Sequence, residues 1–329
     1  MNVDIIILAA GQGKRMQSPL PKVLQPLAGK PLLQHVVDTC SKIEKAKLHI
    51  IVGEQKKLIQ SSISAPKSTN WIIQKKQLGT GHAVKQSLPS LRANSQAVVL
   101  YGDGPLVKIS TLKKLISDMA KNSLILLTFE SANPKGLGRI IRQSNSKVSG
   151  IVEEKDASSF EKQIKEVNSG ILATSTKNLK QWLPKLRNNN ASKEYYLTDI
   201  VALCSSENKK IKAINLGDTS ELLGANDNQE LQNLERIYQK ETALSFLKKG
   251  VKFADINRVD FRGEVSIGKN VFIDVNVVLE GKVSIGGDSI ISAGSVIRNS
   301  SLGKKIKVEP CSVIENSKIG DNSMIGPFA

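Results

Sequence analysis

Apolar residues follow two different periods along this chain. Up to about residue 226, short aliphatic runs alternate with stretches whose apolar positions recur every three to four residues, as in 31–41. The aliphatic runs predict buried strands over 5–8, 48–52, 97–101 and 124–129. Alternating strands and helices are typical of a doubly wound, Rossmann-like α/β domain with a parallel sheet, whose ligands bind at the carboxyl ends of the strands.

A single long helix is predicted after this domain. Between 227 and 249, leucine and isoleucine recur at three-to-four spacing, and no proline intervenes. We therefore expect three segments: an α/β domain over 1–226, a linker helix over 227–250 and a repeat domain over 251–329.

Beyond residue 258 the period becomes six. Hexapeptide periodicity with repeated Ile-Gly pairs predicts a parallel β-helix whose coils stack inward-facing aliphatic side chains, with a sandwich of short strands as the alternative. The period slips by one residue before Leu302 and again before Ile319. The chain stops at Ala329 in mid-repeat, so we expect a truncated, incomplete array. The six consecutive positions are Ile267, Ile273, Leu279, Ile285, Ile291 and Ile297.

The segment after the first strand carries the clearest chemical signal. Gly11 and Gly13 allow the main chain to turn and to direct N–H groups at anionic oxygens. Lys14, Arg15 and Lys22 add positive charge, so the segment predicts a cradle for phosphate. The spacing matches neither a Walker loop nor G-x-G-x-x-G, and a plain strand–helix turn with solvated cations is the alternative interpretation.

Composition and charge limit the partners and the cellular compartment that fit this chain. The chain has 329 residues and a net charge of +17. Its lysines are spread out without interleaved aromatic residues, which predicts a solvated surface that steers anionic substrates, not a nucleic-acid interface. Cys40, Cys204 and Cys311 are isolated, as expected in a reducing compartment, and have no zinc-site spacing. No apolar run is long enough to span a membrane, so we expect a cytoplasmic protein.

Short motifs spread over the whole chain resemble one family. They are LAAGxGxRM, PKVL, QLGTGHA, YGD, GLGRI, GIVEEKDA, VNSGI, NNNASKEYYLTDI and GAN. The first two alone indicate sugar-nucleotide pyrophosphorylases in general, whereas the complete set resembles the bacterial bifunctional N-acetylglucosamine-1-phosphate uridyltransferase/glucosamine-1-phosphate acetyltransferases. This resemblance implies a nucleotidyltransferase domain, a linker helix and a left-handed β-helix.

The resemblance implies transfer of UMP from UTP to N-acetylglucosamine 1-phosphate, which supplies peptidoglycan and lipopolysaccharide precursors. The sugar phosphate has a second pKa near ~6, so it is ionised at neutral pH without a base. The enzyme must then only position the two substrates and neutralise their charge, and Arg15 and Lys22 are suited to this task. The resemblance also implies Mg²⁺ on Asp103 and Asn226. The alternatives are an exposed cation at Lys22, a turn at Asp103 and a helix N-cap at Asn226.

The resemblance also implies a nucleotide site at the strand ends. The amide of Gln74 and a backbone N–H of the following glycine turn would pair with the uracil edge, with a surface glutamine as the alternative. His82 is expected to pack behind this turn, since the reaction leaves it no proton to move. The implied nucleotide residues are Leu8, Ala9, Ala10, Gly11, Gln74, Gly79, Thr80, Tyr101 and Gly102.

The sugar site is implied by matches at Gly138, Glu153 and Asn168. Because Glu153 and Glu154 are adjacent, they are expected to face opposite sides, with Glu154 in solvent. A simple turn is the alternative role for Asn168. Residues 194–199 are expected to shape the same pocket.

Other functions remain open on the sequence alone. A related nucleotidyltransferase could act on another base or sugar, and a non-catalytic subunit of a translation factor could pair the same two domains.

Since the related enzymes associate as trimers through β-helix faces, we expect a trimer, weakened by truncation. The Arg, Lys and His of the acetyltransferase site are absent, so we expect full-length relatives, but not this chain, to acetylate glucosamine 1-phosphate. Gly104 and Asn228 depart from the family, which usually has valine and arginine there.

Overall fold

The chain forms two compact units. The computed structural model describes residues 2–11, 13–217 and 219–329, and of Lys14 only the backbone. The first unit contains the residues up to Leu24 together with Leu32–Asp227, and the second contains Gln25–Pro31 and Asn228–Ala329. None of the described helices has the length and apolar composition needed to cross a lipid bilayer.

Strands and helices alternate up to Asn215, and short strands dominate after the last helix. The strands of the first part are β1 (Val3–Ala9), β2 (Pro26–Leu27), β3 (Lys30–Pro31), β4 (Ala46–Val52), β5 (Asn70–Ile73), β6 (Gln96–Tyr101), β7 (Leu124–Glu130), β8 (Arg139–Arg142), β9 (Val148–Val152), β10 (Glu166–Ser175) and β11 (Ile211–Asn215). The α-helices are α1 (Leu32–Cys40), α2 (Lys56–Ser62), α3 (Thr80–Ser87), α4 (Ile109–Asp118), α5 (Thr176–Trp182), α6 (Asp199–Ser206) and α7 (Asn228–Leu247). Single 3₁₀ turns occur at Lys14–Met16, Lys22–Leu24, Leu88–Ser90, Glu161–Gln163, Leu183–Lys185 and Ser220–Leu222. The remaining strands are β12 (Lys252–Phe253), β13 (Val259–Ile267), β14 (Phe272–Ile273), β15 (Val277–Ile285), β16 (Ile290–Ile291), β17 (Val296–Arg298), β18 (Ser301–Leu302), β19 (Lys307–Val308), β20 (Val313–Glu315), β21 (Lys318–Ile319) and β22 (Met324–Ile325).

The first unit is built on one mixed sheet with the strand order β11-β7-β10-β6-β1-β4-β5. β1 pairs in parallel with β4 and β6, and β11 pairs in parallel with β7. The prediction of a fully parallel sheet is wrong at β10, which runs antiparallel to both β6 and β7. β10 follows the β8–β9 hairpin without a crossover helix, so it can enter the sheet in the opposite direction. The strand order reverses at β1, which places a ligand crevice at its carboxyl end.

The sheet buries apolar side chains on both faces. Along β1, Ile5 and Ile7 belong to one cluster, whereas Ile6 and Leu8 belong to the other, as the two-residue period of a strand requires. The first cluster includes side chains of α1 and α4, and the second includes side chains of α3, α5 and α6. Helices on both faces confirm the predicted doubly wound α/β architecture.

A buried polar cluster anchors the beginning of β1. Asp4 and His49 are fully buried, and His49 Nε2 lies 2.7 Å from Asp4 Oδ1. The guanidinium of Arg92 lies 3.3 Å from the same carboxylate, and the Ser95 hydroxyl donates to it. Burial raises the pKa of Asp4, but the hydrogen bonds from His49 and Ser95 and the charge of Arg92 outweigh it and lower the pKa. The strand edge opposite the ligand crevice is therefore held by ionic hydrogen bonds.

The second unit contains the predicted parallel β-helix. All six aliphatic positions predicted from the hexad period are buried in a single cluster. Val259 pairs with Val277, so each coil takes three hexads. Ser284 pairs with Ser301, one residue short of three hexads, which is the slip seen in the sequence before Leu302. Both the period and its interruption therefore mark the coil geometry.

The first coil of the β-helix is closed by a side chain of α7. Gln239 is buried, and its Nε2 donates to the Phe261 carbonyl at 2.9 Å while its Oε1 accepts from the Phe261 N–H at 2.7 Å. These are the two hydrogen bonds that a further strand would make to β13. On the same helix, Glu235 accepts from the N–H of Ala28 at 2.8 Å, which ties the β2–β3 hairpin to this unit. At Phe261 the exposed edge of β13 is thereby satisfied.

Removing the Gln239 amide should destabilise the second unit selectively. Gln239→Ala leaves two buried backbone groups of Phe261 without partners, so we expect the free energy of unfolding to fall by about 2 kcal/mol or more. Urea unfolding followed by far-UV circular dichroism reports both units. Tryptophan fluorescence follows the first unit alone, because Trp71 and Trp182 are the only tryptophans. Gln232→Ala, at an exposed position of the same helix, is the control. Equal unfolding curves for the two variants would contradict the closing role.

Candidate active site

Lys22 packs closely against the loop that follows β1. Gly13 has a positive φ of 61°, and a Cβ there would lie 2.5 Å from the Cβ of Lys22. Only glycine therefore lets the 3₁₀ turn Lys22–Leu24 approach this loop. At Gly11 a Cβ would meet nothing within 4 Å, so open space lies in front of the loop. Gln12, which belongs to the predicted motif, lies outside the described residues, as does the Lys14 side chain.

Three predicted residues converge at the carboxyl edge of the sheet. Lys22 Nζ forms an ion pair with Asp103 Oδ2 and donates to Asn226 Oδ1 at 2.9 Å. The side chains of Lys22 and Asp103 are 15% and 13% exposed, so solvent screens this pair only partly. Asp103 follows β6 and Asn226 comes shortly before α7, so two segments far apart in sequence meet at one ammonium group.

The same two oxygens suit a hard divalent cation. A carboxylate and a side-chain amide oxygen are ligands that Mg²⁺ accepts, and both already converge on one cation, the Lys22 ammonium. Among the described residues there is no group of three or more His, Cys, Asp or Glu that could hold a metal. Two protein oxygens fit an ion that keeps water and phosphate oxygens in its other positions.

A cavity of about 520 Å³ opens beside this cluster. It brings together most of the predicted phosphate, base and metal residues. Arg15 is exposed and does not line it, and Gly102 is buried behind it, where its N–H donates to the Leu8 carbonyl at 2.9 Å. The predicted residues that line the cavity are Leu8, Ala9, Ala10, Gly11, Lys22, Gln74, Gly79, Thr80, Tyr101, Asp103 and Asn226.

The turn between β5 and α3 forms one wall of this cavity. Gly79 has a positive φ of 105°, and a Cβ there would lie 2.6 Å from the Tyr195 carbonyl oxygen. The N–H of Tyr195 donates to the Leu78 carbonyl at 2.8 Å, and that of Gly81 donates to the Tyr195 carbonyl at 2.8 Å. The turn is therefore clamped against the segment that carries Tyr195, and only glycine fits at its centre.

A smaller cavity of about 170 Å³ adjoins the first. Both cavities are lined by Thr80, Tyr101 and Glu194, so they are neighbouring parts of one site. Thr80 Oγ1 accepts from the N–H of Leu197 at 3.0 Å, which joins the turn before α3 to the 194–199 segment. This segment lines the smaller cavity, as the sequence led us to expect.

The predicted sugar residues gather at the smaller cavity. Glu153 and Asn168 line it, and a Cβ on Gly138 would lie 3.4 Å from Glu153 Oε2. The N–H of Asn168 donates to the Gly138 carbonyl at 2.8 Å, and its Oδ1 accepts from the N–H of Gly170 at 3.1 Å. Asn168 thus forms the simple turn considered as the alternative and also lines the cavity.

Glu153 sits in an environment that opposes its ionisation. Burial raises its pKa, and the nearby carboxylates of Asp199, Asp156 and Glu194 raise it further. The Thr198 hydroxyl donates to Glu153 Oε1 at 2.8 Å and offsets part of this effect. A carboxyl group held this way is costly to keep charged, which is common where function and not stability selects the residue.

Glu154 is partly exposed to solvent, as expected, but it is also ion-paired. Its Oε2 accepts from Arg139 Nη2 at 2.6 Å and from the Gly136 N–H at 3.2 Å. The hydrogen bond from Arg139 lowers the pKa of Glu154. Arg139 is itself buried and also donates to the Leu137 carbonyl, so the pair secures the turn before β8. Glu153 lines the smaller cavity and Glu154 does not, although both lie just beyond β9, where the strand has ended.

Sequence reasoning missed three residues of the site. Gln77 lines the larger cavity and donates to the Ala10 carbonyl, and only its place within the QLGTGHA motif could have drawn attention to it. Glu221 lines the same cavity and accepts from the Thr111 hydroxyl at 2.9 Å. Thr198 was assigned no individual role, although it lies in the expected 194–199 segment. The hydrogen bonds of Glu221 and Thr198 span 110 and 45 residues, which no local pattern reveals.

The chain resembles known proteins over its whole length. The family description of the MobA-like NTP transferase domain matches residues 5–149, and that of six bacterial transferase hexapeptide repeats matches residues 264–299. The bifunctional protein GlmU of Marinobacter nauticus is 44% identical over 327 residues, which cover 99% of this chain and 72% of that protein. The bifunctional protein GlmU of Baumannia cicadellinicola is 46% identical over 336 residues, which cover 100% of this chain and 71% of that protein.

Solved structures share the fold at lower identity. A crystal structure of UDP-glucose pyrophosphorylase complexed with UDP-glucose has a TM-score of 0.59 at 18% identity and covers 73% of this chain and 100% of its own. The inositol-1-phosphate CTP transferase from T. maritima has a TM-score of 0.50 at 16% identity and covers 68% of this chain and 86% of its own. These likenesses concern the fold alone.

The two adjacent glutamates should respond oppositely to neutralisation. Because the pKa of Glu153 is higher in the folded protein than in the unfolded chain, its charge costs stability at neutral pH, and the cost vanishes below its ordinary pKa. We expect Glu153→Gln, which keeps the bond from Thr198, to raise Tm at pH 7.5 by about 2 °C, with the gain shrinking towards pH 4.

Glu154→Gln is the matched control, since its pKa is lowered and its charge stabilises the fold above the ordinary value. It should lower Tm at pH 7.5, and the difference should fade as the pH falls through the lowered pKa. Thermal melts of both variants across this range give the measurement. A shift of both variants in the same direction would show that these charge environments are misassigned.

Proposed function

Because the chain belongs to the family of bifunctional GlmU proteins, we propose that the two adjoining cavities are the active site of its uridylyl transfer. The chain is a nucleotidyltransferase that transfers UMP from UTP to N-acetylglucosamine 1-phosphate and yields UDP-N-acetylglucosamine, a cell-wall precursor, and pyrophosphate. One observation carries the site assignment: Lys22, Asp103 and Asn226 converge at the edge of a cavity that Gln74 and Thr80 also line.

The reaction requires charge neutralisation more than proton transfer. The second pKa of a sugar phosphate is near ~6, so its oxygen is already a nucleophile at neutral pH. This oxygen attacks the α-phosphorus of UTP, the bond from that phosphorus to the bridging oxygen breaks, and pyrophosphate leaves. In our proposal Lys22 neutralises the charge that develops on the phosphoryl oxygens, and the N–H groups of the Gly11 loop orient the triphosphate. Arg15, on the adjoining turn, adds a second cation for the pyrophosphate.

The family uses a divalent metal, and we assign it as Mg²⁺ on Asp103 Oδ2 and Asn226 Oδ1. The shared contact of these two oxygens with the Lys22 ammonium supports a cation position between them. When bound, Mg²⁺ withdraws charge from phosphate oxygens as a Lewis acid. Because Lys22 Nζ occupies the position between these two oxygens, it would move towards the phosphates when the ion binds, and the chain would then contribute two oxygen ligands and a neighbouring cation.

Base and sugar bind in separate cavities in this proposal. Gln74 and the backbone at Gly79 pair with the uracil edge in the larger cavity. Glu153 and Asn168 accept and donate hydrogen bonds to the hydroxyl and acetamido groups of the sugar in the smaller one. The wall that both cavities share holds the sugar phosphate next to the nucleotide, which is the positioning that a two-substrate transfer needs.

We further propose a cytoplasmic location and assembly as a homotrimer through the faces of the β-helix. The three cysteines are free thiols, which fits a reducing compartment. Neither nucleic acid nor a membrane enters this proposal, because the ligands that the site suits are a nucleotide and a sugar phosphate.

The product identifies the activity. Incubation with UTP, Mg²⁺ and N-acetylglucosamine 1-phosphate should release pyrophosphate and form UDP-N-acetylglucosamine, detected by mass spectrometry. Parallel reactions with CTP, dTTP and glucose 1-phosphate test the other bases and sugars. A preference for dTTP with glucose 1-phosphate would reassign the substrates, and no transfer with any pair would indicate a non-catalytic subunit.

Loss of the central charges should lower turnover. Asp103→Asn and Lys22→Ala should each reduce kcat by about 10²-fold or more, as expected when a transition-state electrostatic contact is lost. Lys76→Ala removes an exposed lysine near the Gln74 turn and serves as the control for net charge. Wild-type kcat in either site variant, measured by pyrophosphate release, would refute the role proposed for that residue.

A further inference from the structure

The amide of Gln74 is held in one orientation. Gln74 comes directly after β5, where its N–H donates to the Val52 carbonyl at 2.8 Å, and its side chain is buried against the larger cavity. Its Nε2 lies 3.1 Å from the Gly79 carbonyl oxygen and 3.1 Å from His82 Nδ1. Both hydrogens of the amide nitrogen therefore have a partner within the protein.

The partner at Gly79 determines which end of the amide faces inward. A backbone carbonyl can only accept, so it must meet the NH₂ group and not the oxygen of Gln74. This carbonyl is itself fixed, because it accepts from the Ala83 N–H at 3.1 Å at the beginning of α3. The amide is planar, so Gln74 Oε1 lies on the edge away from its Gly79 and His82 partners and is the group left to face a ligand in the cavity that Gln74 lines.

His82 secures the second hydrogen of the same NH₂ group. For Nδ1 to accept, the ring must be neutral with its proton on Nε2. Burial and the nearby Lys85 ammonium lower the pKa of His82, so the neutral ring predominates at neutral pH. Lys85 and Tyr195, whose ring centroid lies 6.4 Å from that of His82, are its ionisable neighbours here.

We propose that His82 is a positioning residue that fixes the Gln74 amide and thereby selects uracil over cytosine. This inference rests on the proposed function and concerns a residue that takes no part in the chemistry. Uracil carries a hydrogen on N3 and needs an acceptor, which Gln74 Oε1 supplies. Cytosine N3 is an acceptor and would meet that oxygen as a repulsive pair. A reversed amide would present NH₂ and accept cytosine, and the contacts with His82 and Gly79 oppose that reversal.

The ring has a second neighbour that provides a control. Gln86 Nε2 lies 3.2 Å from His82 Nε2 and 3.2 Å from the His82 carbonyl oxygen. The His82 carbonyl identifies this nitrogen as a donor, and a neutral ring has only one acceptor nitrogen, so Gln86 competes with Gln74 for it. Gln74 is buried with its NH₂ group held at Gly79, whereas Gln86 is half-buried and can turn away, so Nδ1 remains the acceptor. Replacing Gln86 removes this competing donor and disturbs the packing of the ring, while Nδ1 stays available to Gln74. Gln86→Leu separates general packing from the specific acceptor.

The test is the ratio of kcat/KM for UTP to that for CTP, at saturating N-acetylglucosamine 1-phosphate and pH 7.5. His82→Leu and His82→Ala both remove the acceptor but leave side chains of different size. If one variant does not fold, the other still provides the measurement. In whichever variant folds, as judged by circular dichroism, the ratio should fall about 3- to 10-fold, the range of one hydrogen bond. His82→Asn, whose Oδ1 can take the place of Nδ1, should restore most of the ratio, and Gln86→Leu should retain it.

A wild-type ratio in His82→Leu or His82→Ala would overturn the inference, as would a loss in His82→Asn as large as in the apolar variants. An equal loss in Gln86→Leu would show that the change in the ratio comes from the packing of the His82 ring. KM for N-acetylglucosamine 1-phosphate should stay within about 2-fold in all variants, since the sugar cavity is untouched. If the wild-type protein forms no UDP-N-acetylglucosamine, the proposed function fails instead, and the two failures are therefore distinct.

Discussion

One ammonium group organises the chemistry of this protein. Lys22 holds Asp103 and Asn226 together, although these residues come from the end of β6 and from the segment before α7. The two oxygens lie close together because both accept from the same ammonium group and neither oxygen can donate to the other. The same arrangement explains why Gly13 is required, since any side chain there would displace Lys22. A positive charge is thus fixed at the edge of the larger cavity.

The site uses charge differently on its two sides. At the larger cavity Lys22 is held by favourable contacts, whereas the smaller cavity keeps Glu153 among other carboxylates that raise its pKa. Its neighbour Glu154 is stabilised by Arg139 and secures the backbone around the site. The adjacent residues Glu153 and Glu154 therefore have opposite effects on stability, because Glu153 faces the smaller cavity and Glu154 faces the buried Arg139. Preorganisation of the site is maintained at some expense of stability.

In both units, a side-chain amide makes hydrogen bonds to backbone groups that another backbone segment could otherwise make. Gln239 provides the pair of hydrogen bonds that a neighbouring strand would give to β13. Gln74 uses its NH₂ group on the turn before α3, which leaves its oxygen for a ligand in the cavity that it lines. In each case the planar amide has a donor and an acceptor on fixed edges, and the fixed partner decides which edge faces outward. This property makes glutamine useful where orientation matters more than charge.

The sequence by itself determined the features that depend on local periodicity and on contiguous motifs. The strand–helix alternation, the hexads with their slip and the glycine loop with Lys22 are all written in neighbouring residues. The tertiary structure decided the antiparallel direction of β10, the pairing of Glu154 with Arg139, the amide contacts of Gln239 and the meeting of Glu153 with Thr198. These depend on contacts between distant segments, and a local pattern is compatible with many such partners. Burial and hydrogen bonding select one of them only when the whole chain has packed.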